Sequence, residues 1–141
     1  MDHVVYLDAK SNEFEKLLDG SKSMIIRGAT GRKLPYGRVN KGDVLYFINN
    51  NAEGVVKAKA LVASVYNSEK MNVEESVALV KENQKKLMLS DKQFQKWAGK
   101  RYLVLIEVTK CIEVERFPID KSRHGNMDDW LPVDNVESVK I

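Results

Sequence analysis

A chain of 141 residues is one ordinary domain's worth of protein, and a content of 43% hydrophobic and 30% charged residues is that of a folded globular chain. Its longest charge-free runs, residues 44–52 and 60–68, are nine residues each, against the ~20 apolar residues that a bilayer-spanning helix needs, so no membrane crossing is expected. The net charge of +3 says little as a total, but residues 22–41 hold six basic side chains (Lys22, Arg27, Arg32, Lys33, Arg38, Lys41) and no acid.

The first ten residues, MDHVVYLDAK, carry acids at positions 2 and 8 and no small-residue cleavage pattern. No export signal is read there, and a cytoplasmic location is the expectation. Cys111 is the sole cysteine, which excludes an internal disulfide and any CxxC motif, and its apolar surroundings suggest a buried, inert thiol. With His3 and His124 the only histidines, neither a metal site nor a cofactor is expected.

In chain order, residues 3–7 (HVVYL) read as a short buried strand. Asn12 with Glu15 has the spacing of a capping box, Phe14, Leu17 and Leu18 mark a helical face, and Gly20 stops the helix. Residues 24–27 return to strand. Residues 28–42, with four glycines, Pro35 and Asn40, form a loop, and 43–49 form the next strand. Residues 55–66 alternate, with Val56, Ala58, Ala60 and Val62 on one side.

Asn72 with Glu75 predicts a second cap, before Val73, Val77, Val80 and Leu87 at helical spacing. Ser90 with Gln93 opens a short helix through Trp97, halted at Gly99. Residues 101–109 and 112–115 read as strands, a hairpin or a bent pair, and 136–141 as a closing edge strand. Strands and helices do not alternate strictly, so the pattern predicts an α+β fold with a mainly antiparallel, barrel-like sheet over a single domain, 1–141.

Several searches for chemistry fail. Gly37 and Gly42 have P-loop spacing, but Asp43 stands where Lys is required; there is no G-x-S-x-G elbow and no dinucleotide fingerprint. Gly28-Ala29-Thr30-Gly31 matches a GXXG loop, yet it follows a strand instead of joining two helices. The strongest local signal is the junction 17–27, where a helix ending at Gly20 hands over to a strand whose period places Ser23, Ile25 and Arg27 on one face. Lys22 at the mouth of that turn and Arg27 on the strand suit a phosphate, Arg through its fork and Lys as a point charge.

Arg32, Lys33, Tyr36 and Arg38 extend this set as cations interleaved with an aromatic, the composition of a groove that tracks a nucleic-acid backbone. The basic run 81–101 lies on predicted helices and reads chiefly as solvated faces, with contact to a polyanion as the lesser reading. Residues 116–132 are dense in special side chains: His124 with Asp128 or Asp129 has the makings of an oriented base, and Trp130 either packs the barrel edge or stacks a base. Trp97 reads as core.

The run Leu17-Leu18-Asp19-Gly20-Ser21-Lys22-Ser23-Met24-Ile25-Ile26-Arg27, a basic loop, and Lys41-Gly42-Asp43-Val44-Leu45 opening a strand together resemble the ASCH domains of the PUA-like superfamily. Their signature is a helix ending in a G-x-K-[TS] turn, a strand ending in Arg, and a later G-D at the start of the next strand. The resemblance covers residues 3–115, with the tail through Trp130 as an extension.

It implies a small β-barrel with flanking helices, related to EVE and YTH domains, and a cleft beside the turn that takes RNA or a modified nucleotide, with Lys22, Ser23 and Arg27 at the motif positions. One ASCH branch is similar to acetylcytidine amidohydrolases, in which a Lys, a Thr nucleophile and a Glu cooperate. Here the nucleophile position is Ile25, and none of Glu74, Glu75 and Glu82 is assignable as the acid. The expectation is therefore a binding module with no assigned catalytic residue. A ribonuclease or amidohydrolase is the alternative, and a protein partner a third outcome.

Overall fold

The computed structural model describes residues 1–120 and 129–141. Six strands build one sheet: β1 (Asp2–Leu7), β2 (Met24–Ala29), β3 (Val44–Asn49), β4 (Val55–Asn67), β5 (Tyr102–Pro118) and β6 (Trp130–Asp134), in the order β2-β5-β4-β3-β1-β6. All neighbours are antiparallel except the β1–β3 pair. The sheet curls into a half-barrel, with β2 and β6 as its two edges, and three helices flank it: α1 (Glu13–Leu18), α2 (Val73–Leu87) and α3 (Asp91–Trp97). This is the α+β, mainly antiparallel arrangement expected from the element order.

The strands that bury both faces are the centre of the molecule. On β5, Val104, Ile106 and Val108 point into the half-barrel against Val5, Phe47, Ala58 and Trp130, while Leu103 and Leu105 face α2 and α3 through Val80, Leu87 and Trp97. β2 divides the same way, Ile25 inward and Met24 and Ile26 toward the helices. β4 carries the alternation read from its sequence, with Val56, Ala58, Ala60 and Val62 all at most 2% exposed. At Gly28 the β2–β5 pair comes so close that a Cβ would lie 2.6 Å from Leu103 Cδ2 and 3.0 Å from the Tyr102 carbonyl oxygen, so a larger residue would have to displace the buried Leu103.

Local chemistry sets the element ends. Asn72 with Glu75 and Ser90 with Gln93 both form complete capping boxes at the starts of α2 and α3. Gly20, at φ +83°, makes the turn between α1 and β2.

The expected Asn12–Glu15 box does not form. Asn12 is left-handed with no side-chain cap bond, because it closes the preceding 3-10 turn (Ala9–Ser11), and the carboxylate of Glu13 instead accepts the Asp8 N–H at 2.7 Å. Of the two readings of residues 101–115, a hairpin or a bent pair, the structure has the bent one: residues 102–115 belong to one 17-residue strand, bent where Lys110 takes φ +55° and where the β4 register shifts. Residues 136–141 do not close the sheet as a strand. Val136–Ser138 is a 3-10 turn, and the edge strand is β6, which carries Pro132 where an edge tolerates it.

Candidate functional site

The two sheet edges meet at Arg27. Arg27 is only 6% exposed, and its guanidinium donates from Nη1 to the Ile26 carbonyl (2.8 Å) and from Nη2 to the Tyr6 carbonyl of β1 (2.7 Å). Tyr6 turns both its backbone groups to this side, since its N–H donates to the Asp129 carbonyl at 2.9 Å. Arg27 thus joins β2 to the β1–β6 edge across the seam of the half-barrel. Its Nε lies 3.2 Å from Asp129 Oδ2 but makes no aligned hydrogen bond, so this is an ion pair without hydrogen-bond geometry. The rings of Trp97 and Trp130 lie 5.9 and 5.7 Å from the guanidinium carbon.

Outside this clasp opens a cleft of about 690 Å³, walled by α3 (Lys92, Lys96, Trp97) and by the end of β1 with Lys10 and Glu13. A second hollow of about 340 Å³ shares Arg27, Lys96, Trp97 and Asp129 with it and adds Lys33, Leu34 and Lys100. The two hollows adjoin at these shared side chains, and among the described residues the groove they make up is lined by six cations (Lys10, Arg27, Lys33, Lys92, Lys96, Lys100) and three carboxylates (Asp8, Glu13, Asp129). All three carboxylates are engaged: Asp8 accepts from Lys10 N–H and the Ser11 hydroxyl, Glu13 from Asp8 N–H, and Asp129 pairs with Arg27. Lys96 Nζ stands 4.7 Å from the Trp97 ring.

The residues read from the G-x-K-S turn lie elsewhere. Lys22 is 2% exposed, clamped between α1 and α2, where Nζ donates to the Leu87 carbonyl and lies 3.4 Å from Glu13 Oε2. Its strand face is that of Met24 and Ile26, toward the helices. Burial pushes its amine down to about 8, against the opposing pull of Glu13. Lys22 is therefore not at the mouth of the turn, and Glu13 is interposed between it and the cleft. Ser23 does not line the groove either; its N–H donates to the Lys86 carbonyl and its own carbonyl accepts from Val108 N–H, both at 2.9 Å.

In the loop, Lys33 alone of the expected cations lines the groove. Arg32 lies 5.7 Å from the rings of both Tyr36 and Tyr102, and Tyr36 is tied down by its hydroxyl to the Ser68 carbonyl (2.6 Å) and by edge-to-face packing on Tyr102. The aromatic expected to stack a base already carries an arginine. Arg38 is exposed, away from the groove.

Trp130 is fully buried, so it packs the half-barrel and has no face open to a base. Its indole N–H donates to His3 Nδ1 (3.1 Å), which leaves Nε2 of His3 to donate to Asp43 Oδ2 at 2.9 Å. His124 and Asp128 lie outside the described residues. Glu75 is used in the α2 cap and Glu82 faces a hollow formed with Tyr66 and Met71, apart from the groove. Burial pushes the Cys111 thiol up to about 11, in keeping with an inert role.

Sequence reading did not place Lys10 or Glu13 in the cleft, and it took the run that holds Lys92, Lys96 and Lys100 chiefly as solvated faces. The last three repeat every four positions, which is the signal of one helical face continued past its C-terminus.

The fold is that seen in solved structures of ASCH proteins. Among solved structures, an ASCH protein of Zymomonas mobilis superposes with a TM-score of 0.66 at 14% identity, over 99% of this chain and 96% of that one. A mutant of the same protein gives 0.69 at 13% identity, over 97% and 93%. The N-terminal domain of McrB from Staphylothermus marinus gives 0.51 at 8% identity, over 97% and 93%. No family model and no curated protein sequence matches.

Proposed function

We propose that this chain is a nucleic-acid-binding module that holds single-stranded RNA or a modified nucleotide in the groove between α3 and the Arg27 seam. The observation that carries the reading is the lining itself: six cations along two adjoining hollows, with Trp97 and Arg27 shared by both. Cations at this spacing suit a phosphate backbone, and the ASCH fold supports the same class of ligand.

Binding of short RNAs should weaken linearly with the logarithm of salt concentration, with a slope of about 0.7 per phosphate contact. Fluorescence anisotropy on a panel of labelled oligonucleotides tests this. Absence of binding at low salt, or an affinity untouched by Lys92→Ala with Lys96→Ala, would falsify the reading.

A hydrolase acting on RNA or on modified nucleosides is the second reading. The observation in its favour is Glu13, whose carboxylate lines the cleft with a lysine of lowered pKa behind it. Against it stand the position of Ile25 deep in the core and the enclosure of the Lys22 amine. Incubation with labelled RNA and with acylated cytidine decides, and turnover no greater than that of a Glu13→Gln variant removes this reading.

A further inference from the structure

We propose that the Nε edge of Arg27 is the groove's anchoring site for a ligand phosphate, and that Asp129 is a built-in competitor that the phosphate displaces. This rests on the groove being the ligand site. A guanidinium has five N–H donors in a fixed fork. The Ile26 and Tyr6 carbonyls take one donor each and lock its plane. Nε, buried in a residue 6% exposed, is left with no hydrogen bond of its own.

Asp129 supplies charge there without alignment, at 3.2 Å. The two partners differ in freedom: the Arg27 side chain is 7% exposed and held on two carbonyls, while the Asp129 side chain is 48% exposed. The cation is fixed and the carboxylate is free to rotate into water.

A buried guanidinium stripped of its counter-charge is costly, so the site exchanges one anion for another and is not left empty. A phosphate monoester, with several oxygens on one atom, reaches Nε–H and a neighbouring N–H together, which Asp129 does not. Lys96 lines both hollows beside Arg27 and adds a second charge to an incoming phosphate. A neutral nucleoside has nothing to offer in exchange and leaves the Arg27–Asp129 pair in place. Asp129 therefore sets specificity: it holds the site against neutral ligands and against weakly binding anions.

The test is calorimetric titration of the full chain and of Asp129→Asn with cytidine 5′-monophosphate, cytidine and inorganic phosphate, with the Arg27 Nε–H resonance followed by NMR. Loss of an exposed competitor of this kind is expected to tighten the monophosphate and inorganic phosphate by roughly three- to tenfold and to leave cytidine unchanged. In the unaltered chain, phosphate should shift the Arg27 Nε–H signal. Unchanged or weakened monophosphate binding by Asp129→Asn overturns the proposal; so does an unmoved Nε–H signal, which also decides if that variant fails to fold. Salt-dependent RNA binding with no Asp129 effect overturns this inference alone. Tighter phosphate binding by the variant with no RNA binding by either protein removes the RNA reading and keeps the anion site.

Discussion

Two stretches of this chain are rich in cations, and they end up with opposite fates. Residues 22–41 carry six basic side chains and no acid, within the longest acid-free stretch of the sequence. In space it is dispersed: Lys22 is buried against Glu13, Arg27 is spent largely on two carbonyls, Arg32 lies over two tyrosines, and only Arg27 and Lys33 reach the groove. Residues 81–101 carry acids among their cations and look like an ordinary solvated surface. Yet Lys92, Lys96 and Lys100 are brought to one wall of the groove by α3 and the turn after it. Charge density along a sequence is thus a poor guide to charge density in space, because strand pleat scatters neighbours to two faces while helical period gathers residues four apart.

Four experiments break or sharpen this contrast. The largest effect is expected for Arg27→Ala, which strands two carbonyls at the seam and removes the clasp between β2 and β1. We expect a loss of about 3 kcal/mol by urea unfolding, together with loss of RNA binding.

Next is the double change Lys22→Met with Glu13→Gln. In the native protein the Lys22 amine titrates near 8, below its ordinary 10.5. Between those values the unfolded chain binds more protons than the folded one, so this group makes stability rise with pH across that window, and it contributes nothing that changes below it. The rise attributable to Lys22 is on the order of 3 kcal/mol. Cys111 acts in the opposite sense, its raised pKa costing stability as pH climbs from 9 toward 11. The difference between the parent and the double variant, measured by unfolding from pH 7 to 10.5, isolates Lys22. A flat difference would show that the amine is not held in a low-dielectric site.

The triple change Lys92→Ala, Lys96→Ala and Lys100→Ala should weaken RNA by roughly 10- to 100-fold at low salt and lower the salt slope by about 2, with stability nearly unchanged. Smallest is Arg32→Ala with Arg38→Ala, on the stretch that looked most basic. Affinity should change by less than about threefold, and stability by up to about 1 kcal/mol from the lost tyrosine contacts. If the loop pair outweighs the α3 triplet in anisotropy titrations, the contrast between the two stretches is reversed.

The legible parts of the fold were those set by short-range physics. The alternation of β4, the capping boxes of α2 and α3 and the stop at Gly20 are each written in a few adjacent residues and persist in the structure. The departures have two sources. Asn12 does not cap with Glu15 because it closes the 3-10 turn before it, whereas residues 102–115 form one bent strand because β4, a separate stretch of chain, pairs with them from Val104 onward. β6 was hidden by Pro132, which only its place at the sheet edge makes acceptable.

The candidate site divides in the same way. The sequence by itself determined the class of fold, through the helix, G-x-K-S turn and strand ending in Arg27, and it identified Arg27 and Lys33 among the groove residues. Tertiary structure alone decided that Lys22 is sealed behind Glu13, that Trp130 is core with its indole on His3, and that three lysines of the 81–101 run line the groove. The reason is physical. Periodicity tells which way a side chain leaves its own element, whereas what it meets there is fixed by closure of the sheet, which brings Arg27 and Tyr6, 21 residues apart, within 2.7 Å.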